Sequence, residues 1–407
     1  MIKKKGTRTV DILIIGGGLI GAALMLALMN QGYDVLLVDA NPLHQTDNEP
    51  DPERNFDART LALSPSSIKI LTQLQVWPKL SSEASSITTI HVSQRGHFGM
   101  SELHADAEQP LGAVLELHHV SRILHQLLPP EKVLAPAELV ALDAVKQIAT
   151  IEHEGREIKI KAALFVAADG GHSTVRRWST RTAKIKLYNQ SALVANIGLQ
   201  RPHRQCAYER FTRDGALAML PMTQLRSAMV WCLPQDEAKR LQAMDDTLFL
   251  KQLQLTLGYR LGRLVKVGQR AIFPLQEIIM PDQIEWPLVF VGNAAHTLHP
   301  VAGQGFNLGL RDVAALAQCI LEHGLNSAML SHYQTMRQVD QTAIIRFTDG
   351  LVRIFGSQFP GMALGRGLGL LAFDNSKLLQ RLLARYARGY GGVVPDLACG
   401  IPLEKNE

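Results

Sequence analysis

Residues 10–21 read Val10-Asp11-Ile12-Leu13-Ile14-Ile15-Gly16-Gly17-Gly18-Leu19-Ile20-Gly21. An apolar run this short, ending at glycine, reads as a buried parallel strand. The glycines fit G-x-G-x-x-G, and Leu19 to Asn30 reads as the helix that follows. Gln31-Gly32 ends that helix, and Tyr33 to Val38 is a second strand that finishes at Asp39. Each glycine has a physical task. Gly16 makes the tight turn, Gly18 lets backbone approach a pyrophosphate, and Gly21 lets helix pack on strand. The helix N-terminus offers free N–H groups and partial positive charge to that pyrophosphate. Asp39 stands where an acid accepts hydrogen bonds from an adenosine ribose. The motif predicts dinucleotide binding and does not by itself separate FAD from NAD.

Working outward, Lys3, Lys4, Lys5 and Arg8 precede an uncharged stretch from Ile12 to Met29, which superficially resembles a signal peptide or membrane span. Asp11 and the four glycines favour strand, turn and buried helix instead. At 407 residues the chain has length for two or three domains. Forty-six per cent hydrophobic and 19% charged residues exclude disorder and coiled coil. A net charge of +5 is too mild for a nucleic-acid binder, so none is expected as a partner. The four cysteines, Cys206, Cys232, Cys319 and Cys399, form no CxxC. They read as reduced, buried thiols of a cytoplasmic protein, with no metal site. His118 and His119, read as strand neighbours, face opposite sides and would not chelate together.

Two further motifs follow the same strand-then-glycine logic. Residues 161–170 (KAALFVAADG) form an apolar strand ending in Asp169-Gly170. Residues 286–292 (WPLVFVG) form another, followed by Asn293-Ala294-Ala295-His296-Thr297-Leu298-His299-Pro300 and then Gly303-Gln304-Gly305-Phe306-Asn307. A long helix is predicted from Phe306 to roughly Glu322. Its N-terminus can stabilise negative charge on a reduced flavin ring.

With these three signatures in order, the chain resembles the class A flavoprotein aromatic hydroxylases of the para-hydroxybenzoate hydroxylase fold. It is most similar to their ubiquinone-biosynthesis branch, and within it to the 2-polyprenyl-6-methoxyphenol hydroxylases. The strings carrying the closer likeness are Phe56-Asp57-Ala58-Arg59-Thr60-Leu61-Ala62-Leu63, Val92-Ser93-Gln94-Arg95-Gly96-His97, Glu209-Arg210-Phe211-Thr212, Ala218-Met219-Leu220-Pro221-Met222, and 292–312. One departure is that Asn293 stands where the broad family has aspartate. Asparagine keeps an acceptor and adds a donor.

The resemblance implies an FAD monooxygenase. NAD(P)H reduces the flavin, O₂ is captured as a C4a-hydroperoxide, and a hydroxyl passes to the ring of a polyprenylated phenol. It implies that Gly16, Gly18, Gly21, Asp39, Arg59 and Arg122 hold the ADP part of FAD. Asp169 and Gly170 would lie between FAD and the nicotinamide approach, and Asn293 would face the ribityl chain. Gly303, Gln304, Gly305 and Asn307 would surround the isoalloxazine ring, mostly through backbone N–H groups. His299 and Pro300 would flank it on the substrate side. No catalytic base is named. Other readings are a sister hydroxylase acting at another ring position, and a flavin-bound organising subunit among quinone-biosynthesis proteins.

The expected architecture is α/β. A discontinuous Rossmann-type FAD domain (1–85, 110–182, 281–345) carries an inserted mixed-sheet substrate domain (86–109, 183–280) and a helical C-terminal region (346–407). Residues 235–265 read as helices hung on that sheet. Met219, Met222, Met229 and Phe211 are candidates for a pocket lining, with core packing favoured. The stretch 346–390 carries seven basic and two acidic residues. Lys377, Arg381, Arg385 and Arg388 recur at helical spacing opposite Leu378, Leu379, Leu382, Leu383 and Tyr386. Such a helix suits peripheral contact with the inner membrane or a partner protein, or simply lays its apolar face on the core. The glycine-rich 361–369 would let it move.

Overall fold

The computed structural model describes residues 7–43, 59–97, 99–105, 109–356, 367, 369 and 374–404. The strand Arg8–Ile15 lies between Arg156–Ala167 and Val35–Val38, parallel to both. Leu288–Phe290 extends this sheet in parallel beyond Arg156–Ala167. Both faces are covered, which is why the run is apolar throughout rather than alternating. Ile12 and Ile14 point into a core shared with the helices Leu19–Leu28 and Gly305–His323. Leu13 and Ile15 point into a second core, against the antiparallel strands Ala137–Asp143 and Ile148–His153. Completely burying one such side chain contributes about 1.5–3 kcal/mol. Residues 10–32 are thus strand, turn and helix packed into the core. Among the described residues no helix is long and apolar enough to cross a membrane.

The three glycine-bearing strand ends, at Gly16, Gly170 and Gly292, therefore sit on adjacent strands of one sheet. Ligands bind outside the carboxyl ends of such strands. The nine-stranded second sheet contains Thr89–Gln94 and Met100–His104 together with strands from Lys184–Leu199 to Ala271–Ile279. The helices Gln235–Gln242 and Asp246–Leu257 cover one of its faces. A small sheet of Thr60–Leu63, Ser85–Ile87 and Gly112–Glu116 joins the two. A buried pair pins it to the large sheet, with Arg226 Nη1 donating to Glu116 Oε1 at 2.8 Å.

Several sequence expectations are corrected. His118 and His119 open the helix Leu117–Leu127 rather than a strand, so their rings meet edge-on with centroids 4.1 Å apart. Together with Glu116 they form a group close enough to hold a cation, though Glu116 is already committed to Arg226. All four cysteines are free, but only Cys232 and Cys319 are buried; Cys206 is half-buried and Cys399 exposed. The helix Ser327–Gly356 runs unbroken across residue 346, so the expected division there falls inside one element. Residues 361–366 and 368, most of the glycine-rich stretch, and Phe56–Ala58 lie outside the described residues.

That long helix is bound to the rest by a charged cluster with almost no solvent exposure. Arg337 Nε donates to Asp312 Oδ1 at 2.8 Å, and its Nη1 to Asp340 Oδ2 at 2.8 Å. Arg311 Nε donates to Asp340 Oδ2 at 2.7 Å. Asp312 also accepts from Gly292 N at 3.1 Å, His296 Nε2 at 2.5 Å and Gln341 Nε2 at 3.0 Å. Burial raises the Asp312 carboxyl, but His296 and Arg337 more than offset it and hold it well below its ordinary 3.8. Removing one partner leaves a buried charge uncompensated. We predict that Arg337→Met lowers stability by about 3–5 kcal/mol in denaturant titration. Because the folded carboxyl is depressed, its contribution is present above about pH 4 and declines as pH falls below that. Arg337→Met should therefore also flatten the acid limb of the stability profile.

Candidate active site

The strand ends and the uncovered face of the large sheet enclose one cavity of about 550 Å³. Its lining unites residues far apart in sequence. Gly18, Leu19 and Ile20 come from the first motif, Gly170 from the second, and Asn293, His299, Pro300, Gly303, Gly305 and Phe306 from the third. Thr60, Leu61 and Ala62 contribute a side, and Ala207, Glu209, Ala218, Leu220 and Val230 contribute the sheet face.

The first turn is built for backbone, not side chains. Gly16 has φ +107°, and a Cβ there would sit 2.5 Å from the Ala168 carbonyl. A Cβ on Gly21 would lie 1.8 Å from Gly16 O. Gly18 is different, because a Cβ there meets nothing within 4 Å. The same holds at Gly170 and Gly305. At Gly18 and Gly305 the absent side chain leaves open space and the backbone is ordinary, so the protein's own packing does not explain the glycine, whereas Gly170 also has φ +82°, which by itself favours glycine. Asp39 spends Oδ2 on Gly17 N (2.6 Å) and Oδ1 on Asn41 N (2.7 Å), bracing the turn. His125 Nε2 donates to Gly17 O at 2.8 Å. Arg122 is exposed one turn before His125, and Arg59 is exposed beside Thr60. Neither arginine lines the cavity.

Asp169 Oδ2 accepts from Thr174 N (2.7 Å), Thr174 Oγ1 (3.1 Å) and Val175 N (3.2 Å), so it organises the turn after its strand. Its Oδ1 is buried without a partner among the described residues. An orphaned buried carboxylate oxygen beside open glycine space fits a bound hydroxyl-bearing group.

The third motif divides its tasks. Asn293 lines the cavity with its side chain exposed to it. Asn307 is buried and faces inward: Oδ1 accepts from Ser64 N at 2.8 Å, while Nδ2 donates to Ala62 O (2.8 Å) and Gly303 O (2.9 Å). Asn307 thereby clamps the start of Gly305–His323 to the strand Thr60–Leu63. Gln304 is buried at the helix cap, outside the cavity lining. The first-turn N–H groups, which have no intrahelical acceptor, lie at the cavity wall. His299 is buried, and its Nδ1 accepts from Val301 N at 3.3 Å, leaving the proton of the neutral ring on Nε2. Burial, then the Lys186 charge, push its pKa down to about 4, so it is neutral near pH 7. Its ring meets Tyr188 edge-on at 4.9 Å.

Met219, Met222, Met229 and Phe211 do not line the cavity, in keeping with the favoured reading of core packing. All four pack in cores, Phe211 stacked on Phe355 at 3.5 Å. Alternation explains it: Met219 and Met229 face the covering helices, so Ala218 and Val230 face the cavity. Glu209, on the cavity face, was not singled out. Nothing in a single sequence tells which face of its strand the cavity takes.

A family profile described as FAD binding domain matches residues 9–348. The ubiquinone hydroxylase UbiL of Rhodospirillum rubrum is 34% identical, the alignment covering 97% of this chain and 94% of the relative. The 3-demethoxyubiquinol 3-hydroxylase of Escherichia coli is 29% identical, over 93% of this chain and 98% of its own. Among solved structures, the p-nitrophenol 4-monooxygenase PnpA of Pseudomonas putida shares the fold, with a TM-score of 0.75 at 15% identity, covering 95% of this chain and 99% of that one. A near-full-length match to the profile, a relative at one-third identity and the meeting of three glycine-bearing strand ends at one cavity agree: the chain belongs to the FAD binding domain family, in its ubiquinone-hydroxylase branch of flavoprotein monooxygenases.

Proposed function

We propose that this protein is an FAD-dependent monooxygenase that hydroxylates the aromatic ring of a polyprenylated phenol in ubiquinone biosynthesis, with 2-polyprenyl-6-methoxyphenol as substrate and NAD(P)H as reductant. The observation carrying this reading is the cavity of about 550 Å³ in which open glycine positions meet a largely apolar sheet face. In this reading Gly16, Gly18, Gly21 and Asp39 hold the ADP part of FAD, with Arg59 and Arg122 at its approach. Asp169, through its unpartnered Oδ1, and Asn293 serve the sugar-like chain, and Gly170, Gly303 and Gly305 give the ring room. When bound, FAD supplies the reductive activation of O₂. The chain's own residues do the rest. The N-terminus of Gly305–His323 stabilises negative charge at the ring. Asn307 and Gln304 position that helix start. Neutral His299 and Pro300 shape the substrate side, and the apolar sheet face excludes water and receives the ring. The sister-step reading keeps support from the 29% likeness to the E. coli 3-hydroxylase.

The C-terminal helix Lys377–Ala387 bears on partners. Of its apolar face, Leu378 is 68% and Leu379 47% exposed, while the side chains of Leu382 and Leu383 lie outside the described residues. Lys377, Arg381 and Arg385 are exposed as well. An exposed apolar and basic helix matches an anionic membrane surface, where an insoluble prenyl tail resides.

Four outcomes check these readings. Holoenzyme given a short-chain prenyl methoxyphenol should oxidise NAD(P)H in an O₂-dependent, phenol-stimulated way and add one oxygen to the ring by mass spectrometry. Cells lacking the gene should accumulate the unhydroxylated precursor; a precursor already hydroxylated there would place the protein at the sister step. Gly305→Ala should change stability by no more than about 0.5 kcal/mol, yet lower flavin affinity at least tenfold by fluorescence titration. Gly21→Ala should instead destabilise the fold. Finally, Arg381→Glu with Arg385→Glu should reduce co-sedimentation with anionic vesicles, and unchanged binding would sink the membrane assignment.

A further inference from the structure

On the cavity face of the large sheet, Glu209 stands opposite Ala218, and Ala218 opposite Val230. Ala207, Leu220, Ile87 and Ile90 complete an apolar surround. A carboxyl in such a wall is costly unless something pairs with it. Glu209 has no hydrogen-bond or ion-pair partner among the described residues. Its flanking arginine does not help, because Arg210 turns to the other face, donating from Nε to Thr256 O at 2.7 Å and from Nη1 to Ser93 Oγ at 3.1 Å.

We propose that Glu209 is the catalytic base of the site: its carboxylate binds the ring hydroxyl of the phenol and takes its proton as the ring is attacked. The inference rests on the cavity being a phenol-hydroxylating site. In the step, the phenol O–H bond breaks and the proton passes to a Glu209 oxygen. The electron pair left on the phenolic oxygen moves into the ring and makes its ortho and para carbons more nucleophilic. When the attacked carbon later loses its own proton to water, Glu209 returns its proton to the original oxygen and the ring regains aromaticity. Over the whole reaction the ring carbon gains a C–O bond to one oxygen atom of O₂, the O–O bond breaks and the other oxygen leaves as water with the two electrons NAD(P)H would supply through FAD, so the carboxylate is restored each turnover with no further oxidant.

Burial in this apolar wall raises the Glu209 carboxyl to about 7, a value suited to a base working near neutrality. The groups sharing its surroundings do not compete for the role. His299, on the same cavity wall, is held down at about 4 and is a weaker base. Tyr208, which also borders the cavity, is pushed up to about 12 by burial and stays neutral. Cys232, on the strand Arg226–Pro234, is raised by burial and then by Glu209 itself, and remains a thiol. The other strands packed beside Glu209 present Ala218 and Val92 at its register, neither of them titratable.

The test compares wild-type and Glu209→Gln holoenzymes on a short-chain prenyl methoxyphenol across pH. The amide is isosteric and uncharged, so it relieves a desolvated carboxyl rather than creating a cavity. Wild-type hydroxylation should fall as pH drops through about 7, because the base must be ionised. Glu209→Gln should keep its flavin content and its reduction by NAD(P)H. It should hydroxylate about 10²-fold more slowly or worse, and lose that acid limb. A fluorinated phenol already ionised at assay pH should recover most of the lost rate. Glu209→Asp should keep the acid limb at reduced rate. Glu209→Gln turning over within twofold of wild type with an unchanged pH profile would overturn the assignment while leaving the functional reading intact. A wild-type holoenzyme that hydroxylates no phenol would overturn both.

Discussion

The carboxylate of Asp312 is the constraint on which the site's geometry depends. It lies inside the helix Gly305–His323, yet it accepts from the backbone at Gly292, from His296 in the following turn, and from Arg337 and Gln341 on the next helix. One buried anion thereby joins the end of a core strand, the turn that carries Asn293, and the long helix. Because each lone pair has a committed donor, the turn has little freedom to shift without exposing an unpaired charge. The N-terminus of Gly305–His323, at the cavity wall, is fixed through the same helix by this carboxylate and by the Asn307 clamp.

The site itself is assembled from two kinds of surface. One is backbone: strand ends and glycine positions where added atoms would collide, as at Gly16 and Gly21, or would intrude into open cavity, as at Gly18 and Gly305. This surface leaves open space lined by backbone rather than by side chains. The other is the uncovered face of a mixed sheet, largely apolar, with Glu209 and Tyr208 at the cavity. Covering the opposite face with two helices frees this one for a ligand, and the buried Arg226–Glu116 pair holds it at a fixed distance from the glycine-lined side. Dry walls strengthen every electrostatic contact made inside them, which makes a single ionisable group there consequential.

Local rules carried much of the fold. The run 10–39 specified strand, turn, helix and strand because apolar continuity, three glycines and one acid each have a local steric reason to be where they are. The other two strand ends obeyed the same rule. Boundaries were less legible where packing overrode the pattern. His118 and His119 belong to a helix whose N-cap, Glu116, pairs with Arg226, a partner 110 residues away. Asp39 was readable as an acid after the second strand, but its bond to Gly17 N is a product of the folded turn.

What the sequence determined by itself is the presence of three glycine-bearing strand ends and hence a dinucleotide-binding α/β chain of the flavoprotein hydroxylase kind. Those features are local, so residue type and spacing suffice. Only the tertiary structure decided which face of each strand in the second sheet meets the cavity. A one-residue change of register exchanges Met219 for Ala218 and Arg210 for Glu209, and nothing local chooses between them. The choice is made by the helices Gln235–Gln242 and Asp246–Leu257, whose apolar sides claim one face and leave Glu209 on the other.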